Sequence, residues 1–202
     1  IPNEDESNNS GTGSNGDSND GGTDDSTGSQ LPGSGSVIIA AINAGGPEYV
    51  DAQGTVYQAD TLFSGGRTYT KEKDISYTND DALYQSERFG DFSYKIPLVN
   101  GNYEVTFKFA EIYWDDSNRR VFDVEMEGNE IISNLDIFAK VRNYTVYDVT
   151  VPVSVADGVL DIDFFTDKNN AKVSALLIQK NETDSLSPPD ITTLGAHIAI
   201  NA

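Results

Sequence analysis

Between positions 103 and 109 large apolar side chains fall on every second residue: Tyr103, Val105, Phe107 and Phe109 alternate with Glu104, Thr106 and Lys108. A period of two is the spacing of a strand with one face in a core and one in water; a helix would scatter those four side chains around its axis. The same grammar governs most of the chain. From position 37 onward the apolar runs are short, rich in Val, Ile, Phe, Tyr and Thr, and separated by turn residues. Residues 37–42 make a continuous apolar strand ended by Asn43-Ala44-Gly45-Gly46-Pro47. Residues 92–96 alternate before Pro97, and Asn100-Gly101 reads as the turn of a hairpin joining them to 103–109. Residues 121–126 turn through Glu127-Gly128-Asn129 into Glu130, Ile131 and Ile132, and 146–155, 159–164 and 173–178 supply three further strands. At least seven short strands without an amphipathic helix predict an all-β domain folded as a β-sandwich.

The alternation stops after Phe109. Ala110-Glu111-Ile112 leads into the adjacent aromatics Tyr113 and Trp114, and then at once into Asp115-Asp116-Ser117-Asn118. Neighbouring strand side chains point to opposite faces, so the pair belongs on a loop at a sheet's rim. Aromatics there, beside carboxylates and amides, suit a sugar: the C–H face of a pyranose is apolar while its hydroxyls need directional partners, and Tyr and Trp supply both surfaces. Tyr84, Phe107, Phe109 and Phe122, which follow strand alternation, are assigned to the core. Tyr113 and Trp114 are assigned to binding, and the residues alone leave Tyr69 and Phe89 open between the two.

Composition narrows the partners. Residues 1–36 are almost wholly Ser, Gly, Asn, Asp and Thr, with seven acids, no Lys or Arg and no aromatic residue. Such a segment cannot bury enough apolar surface to offset the entropy of ordering it, and it is read as a disordered, self-repelling linker. The whole chain carries a formal charge of -20, of which -13 remains once the linker acids are set aside. That field repels nucleic acid and an anionic membrane surface, both of which require clustered Lys and Arg, and favours a neutral ligand. There is no cysteine, which excludes a disulfide framework, thiolate metal sites and Cys nucleophiles together. No run approaches the length of a membrane span. A linker of this type leads to the expectation of a secreted or cell-surface protein of bacterial, multimodular kind.

Near the end, Ile39-Ala40-Ala41-Ile42-Asn43-Ala44 returns as His197-Ile198-Ala199-Ile200-Asn201-Ala202, 158 residues later and identical at the last four positions. Between them, residues 181–194 form a second polar linker containing Pro188-Pro189. The expected organisation is therefore a linker over 1–36, a β-sandwich over 37–180, a linker over 181–194, and over 195–202 the truncated start of a second copy. The single histidine, His197, falls in that last piece, so Ser-His-Asp and His-metal chemistry lack a partner inside the complete domain. Glu111, Asp115, Asp116 and Asp123 offer a glycosidase-like carboxylate pair, but a chain with 33 acids contains such pairs by composition alone, and the domain is read as non-catalytic. The loop Asp115-Asp116-Ser117-Asn118 could offer oxygen ligands to a structural Ca2+, yet it lacks the Asp-x-Asp-x-Asp-Gly arrangement of an EF-hand and reads as a solvated loop; no cofactor is expected.

Six motifs, in order, carry a resemblance across the globular region: Ile42-Asn43-Ala44-Gly45-Gly46, Leu83-Tyr84-Gln85-Ser86-Glu87-Arg88-Phe89, Phe107-Lys108-Phe109-Ala110-Glu111-Ile112-Tyr113-Trp114, Val121-Phe122-Asp123-Val124, Leu135-Asp136-Ile137-Phe138 and Lys172-Val173-Ser174-Ala175-Leu176. Together they resemble the malectin family. The resemblance implies a jelly-roll-like β-sandwich that binds carbohydrate without catalysis, as an accessory to a polysaccharide-degrading enzyme on the same polypeptide. By position it places the sugar contacts on Tyr69, Phe89, Tyr113, Trp114 and Asn169. Relative to the animal members, Phe89 lacks a ring hydroxyl, Asn169 stands for a carboxylate and Trp114 for a smaller Phe. Such a site should depend more on ring contact than on charge-assisted hydrogen bonds. The expected ligand is a neutral, glucan-like oligo- or polysaccharide stacked on the aromatics, with Asn169 and nearby backbone groups orienting its hydroxyls. The alternative is a protein-interaction or adhesion module using the same loops.

Overall fold

The computed structural model describes residues 35–181. The linker expected over 1–36, apart from its last two residues, the linker after position 181 and the truncated copy over 195–202 lie outside the described residues. Twelve strands and two short helices follow in order: β1 (Ser36–Asn43), β2 (Tyr49–Val50), β3 (Val56–Ala59), β4 (Phe63–Thr70), α1 (Asp81–Tyr84), β5 (Ser86–Pro97), β6 (Gly101–Phe109), β7 (Val121–Met126), β8 (Asn129–Leu135), α2 (Ile137–Val141), β9 (Tyr147–Val155), β10 (Val159–Lys168), β11 (Ala171–Val173) and β12 (Ala175–Asn181). They form two sheets, β2-β3-β1-β12-β6-β9 and β11-β5-β10-β7-β8, with β4 pairing onto β5. All pairs are antiparallel except β1 with β3.

The sheets pack through the alternating residues seen in the sequence. Tyr103, Val105, Phe107 and Phe109 of β6 are buried while Lys108 and Thr106 are not. Phe107 meets Phe164 of β10 edge-on at 6.1 Å, and Phe109 meets Phe122 of β7 at 5.9 Å, so the aromatic rows of both sheets interlock. Tyr84 is in the core as expected, although on helix α1 rather than a strand.

Two local readings are corrected. Residues 92–96 and 103–109 do not form a hairpin: β5 pairs with β4, β10 and β11, whereas β6 pairs with β9 and β12. The Asn100-Gly101 turn reverses the chain while carrying it from one sheet to the other. The run 173–178 is likewise two strands, split at Ser174, with β11 in one sheet and β12 in the other. Ser174 is fully buried, and its N–H donates to the Lys108 carbonyl at 2.9 Å, which anchors the crossing point.

Buried tyrosines make the fold sensitive to alkali. Burial pushes the hydroxyls of Tyr57, Tyr84 and Tyr94 far above their ordinary ionisation range, reinforced by Asp51, Asp148 and Asp60 respectively. In the unfolded chain each ionises near pH 10. The folded state therefore holds three protons that the unfolded state releases, and the stability they contribute is complete below about pH 10 and falls as pH rises towards the folded values, by about 4 kcal/mol per unit. Unfolding is expected within about two units above pH 10 for a domain of ordinary stability, with far-UV ellipticity and tyrosinate absorbance changing in one step. A smooth titration of all tyrosines near pH 10 without loss of ellipticity would contradict it.

Candidate functional site

The site is built on the β4–β5 ladder. Tyr69 pairs with Glu87 and Arg67 with Phe89, after a register shift at Gly65–Arg67. Gly66 makes that shift possible: its φ is +68°, and a Cβ there would lie 3.0 Å from the Phe89 carbonyl oxygen and from Phe92 Cβ. The bulge sets Arg67 across from Phe89, with the guanidinium 5.1 Å above the ring.

The loop after β6 supplies the aromatic pair, held from beneath by Glu111. Glu111 Oε1 accepts from the backbone N–H groups of Tyr113 at 2.9 Å and Trp114 at 3.0 Å, while Oε2 accepts from Arg120 Nε at 2.8 Å. Both oxygens are committed and the side chain is 1% exposed, so Glu111 is a structural anchor rather than a free acid or base. Arg120 also donates to the Asn170 carbonyl at 3.1 Å and to Glu87 Oε1 at 3.5 Å. Glu87 Oε2 in turn lies 2.6 Å from Lys172 Nζ, which donates to the Ala110 carbonyl. Two carboxylates and two cations thus form a buried, electrically balanced cluster under the loop.

Above the cluster, Tyr113 packs edge-on against Tyr69 at 5.6 Å and against Trp114 at 4.8 Å. Arg119 caps the Trp114 ring at 4.7 Å. The loop between β10 and β11 closes the other side, where Asn169 adopts φ +72° and donates through Nδ2 to the Arg119 carbonyl at 3.0 Å. One of its two amide N–H groups is used there and its carbonyl oxygen accepts from Asn170 Nδ2 at 3.5 Å, so Asn169 keeps one N–H and spare acceptor capacity for a ligand.

All five residues singled out in the sequence, Tyr69, Phe89, Tyr113, Trp114 and Asn169, line one hollow of about 320 Å³. Arg67, Glu87, Arg120 and Asn170 line it as well and were not anticipated. Charged residues read as solvated in a sequence, and the only local signal was the quoted motif containing Glu87. The remaining acidic candidates are scattered. Asp115 and Asp116 are exposed, and Asp123 accepts the N–H of Asn134. Asp116 Oδ1 accepts the N–H of Ser117, and among the described residues no group of three or more His, Cys, Asp or Glu is arranged to hold a metal ion.

A two-sheet sandwich carrying an aromatic cup at its rim, with polar groups in the floor, defines a lectin-like domain. The chain belongs to the malectin family, whose Malectin domain matches residues 38–183; this is a family of carbohydrate-binding, lectin-like domains. It is 36% identical to Malectin-A of Xenopus laevis and 34% identical to Malectin of Homo sapiens, over 74% of this chain in each case. The chain spans about three fifths of those relatives, 62% and 59% of their lengths. The extracellular domain of ANXUR1 from Arabidopsis thaliana shares the fold at a TM-score of 0.65 with 14% identity, over 72% of this chain and 49% of that one. The bacterial localisation expected from the linker is overturned, because the matching malectins come from vertebrates. An acidic Ser/Gly/Asp/Asn composition carries no record of lineage.

Proposed function

We propose that the domain binds a neutral, glucan-like glycan by stacking a pyranose in the aromatic cup. The reading rests on one observation: side chains from β4, β5, the loop after β6 and the β10–β11 loop, far apart in sequence, converge on a single hollow with apolar walls and polar fittings. Its volume, about 320 Å³, is at the small end for a ligand site, which suits one or two sugar units. The overall charge of -20 favours a neutral over a polyanionic ligand.

A cup making a few ring contacts should bind with Kd of about 10 μM to 1 mM. Attachment to a polysaccharide-degrading enzyme belongs to the same proposal, since a weak module gains most when linkage raises the local concentration of its partner on the polymer. Affinity electrophoresis in gels containing soluble β-glucan, starch or agar tests the binding itself. Retardation in at least one gel, relieved by the matching oligosaccharide, is the expected result. Unretarded migration in all three, with no heat on calorimetric titration, would favour a protein-docking role for the same loops.

A further inference from the structure

We propose that Arg120 and Glu87, in the floor of the cup, read the sugar's hydroxyls directly and set its specificity. The inference rests on the glycan-binding proposal above and assigns it two residues that the sequence did not suggest. Their side chains are only 5% and 2% exposed, yet both line the hollow, so the little surface they retain faces it.

The hydrogen bonding of the pair is incomplete. A guanidinium carries five N–H donors. Three are used, by Glu111 Oε2, the Asn170 carbonyl and Glu87 Oε1, which leaves two without an acceptor among the described residues. The contact to Glu87 Oε1 is slack at 3.5 Å, against about 2.7–2.9 Å for a well-made charged pair. Glu87 Oε2 is fully buried beside Lys172 Nζ at 2.6 Å, a charge pair in which it accepts no hydrogen bond, and Oε1 accepts only the slack contact from Arg120 and so keeps spare acceptor capacity. Glu111 fixes the guanidinium from the opposite side through Nε.

A sugar hydroxyl both donates and accepts. One hydroxyl, or two adjacent ones, can accept from Arg120 and donate to Glu87 in the same pose. The rings of Tyr69, Phe89, Tyr113 and Trp114 border this exchange, and a pyranose seated on them would displace water from it and so strengthen each polar contact. The buried cluster is itself electrically balanced, since Glu87, Glu111, Arg120 and Lys172 sum to zero, and Arg67 adds one further positive charge to the lining of the hollow.

A purely structural cluster would support the loop equally for every sugar, and that difference is measurable. The 202-residue chain is titrated calorimetrically with maltose, cellobiose and laminaribiose, and then with monodeoxy derivatives of whichever disaccharide binds. At least one deoxy position is expected to weaken binding about 10- to 100-fold, the loss of a hydrogen bond to a charged group. In Arg120→Met or Glu87→Leu that penalty should shrink to within about three-fold, because the donor or acceptor it depends on is gone. If every deoxy penalty is unchanged in the variants, the floor does not read the sugar, while the stacking proposal stands. Should neither variant fold, the Arg120 Nε–H resonance of the unmodified protein decides: a shift on adding the disaccharide supports the inference and a stationary signal overturns it. No binding of any disaccharide, with no retardation in any polysaccharide gel, removes the glycan-binding proposal and this one together.

Discussion

Replacing Glu111 with alanine is expected to cost about 3–5 kcal/mol of stability, the penalty for leaving a buried charge without its partner. Arg120 would retain only the slack contact to Glu87 and the Asn170 carbonyl, in a position where its side chain is 5% exposed. The N–H groups of Tyr113 and Trp114 would lose their acceptor as well. In urea this corresponds to a fall in midpoint of roughly 1.5–2.5 M at a typical slope. Glu111→Gln keeps an oxygen for the two backbone groups while removing the charge, and should lie between alanine and the unmodified protein. Glu111→Asp keeps the charge but withdraws it by one methylene, so it should loosen the loop without unbalancing the cluster. A glycosidase acid would give the reverse pattern, with turnover lost and stability nearly unchanged. If the alanine variant melts within about 0.5 M urea of the parent, Glu111 is not the anchor described.

The contrast between what could and could not be read in the sequence follows the range of the interactions. The alternation of β6 was legible because a half-buried strand writes its two faces into consecutive residues, and Tyr103, Val105, Phe107 and Phe109 are all buried. Asn100-Gly101 was legible as a turn but not as a change of sheet. Turn chemistry is local, whereas the partner of the following strand is decided by β9 and β12, from far along the chain. The cup walls were found because an aromatic pair on a polar loop breaks strand logic and because the family resemblance brought in Tyr69, Phe89 and Asn169. The floor was not found. Its pairings join residues 9, 33 and 62 positions apart, and pattern rules assign Glu, Arg and Lys to solvent because burying them singly is so costly. Only the assembled fold shows that the four charges cancel one another.

Trp114→Ala is expected to weaken glycan binding by at least about 30-fold while leaving the fold intact. Trp114 is half-buried, and its ring is held by Tyr113 at 4.8 Å and by Arg119 at 4.7 Å, so it is rigid before the ligand arrives. A preordered aromatic in a desolvated cup behaves as a hot spot, and truncating it should cost at least about 2 kcal/mol, some 30-fold, enough to push a site of about 10 μM to 1 mM affinity towards the limit of calorimetry. Trp114→Phe restores an aromatic ring with a smaller face and without the indole N–H, and should recover most of the affinity. Tyr77→Ala is the control: Tyr77 is 90% exposed yet lies outside the cup, so its loss should leave binding unchanged if stacking in the cup, rather than surface aromaticity in general, holds the sugar. Thermal melting within about 3 °C for all three would show that these effects belong to the site and not to the fold. Equal affinity in Trp114→Ala and the parent would shift the binding energy to the floor, where Arg120 and Glu87 would have to hold the sugar without its principal stacking wall.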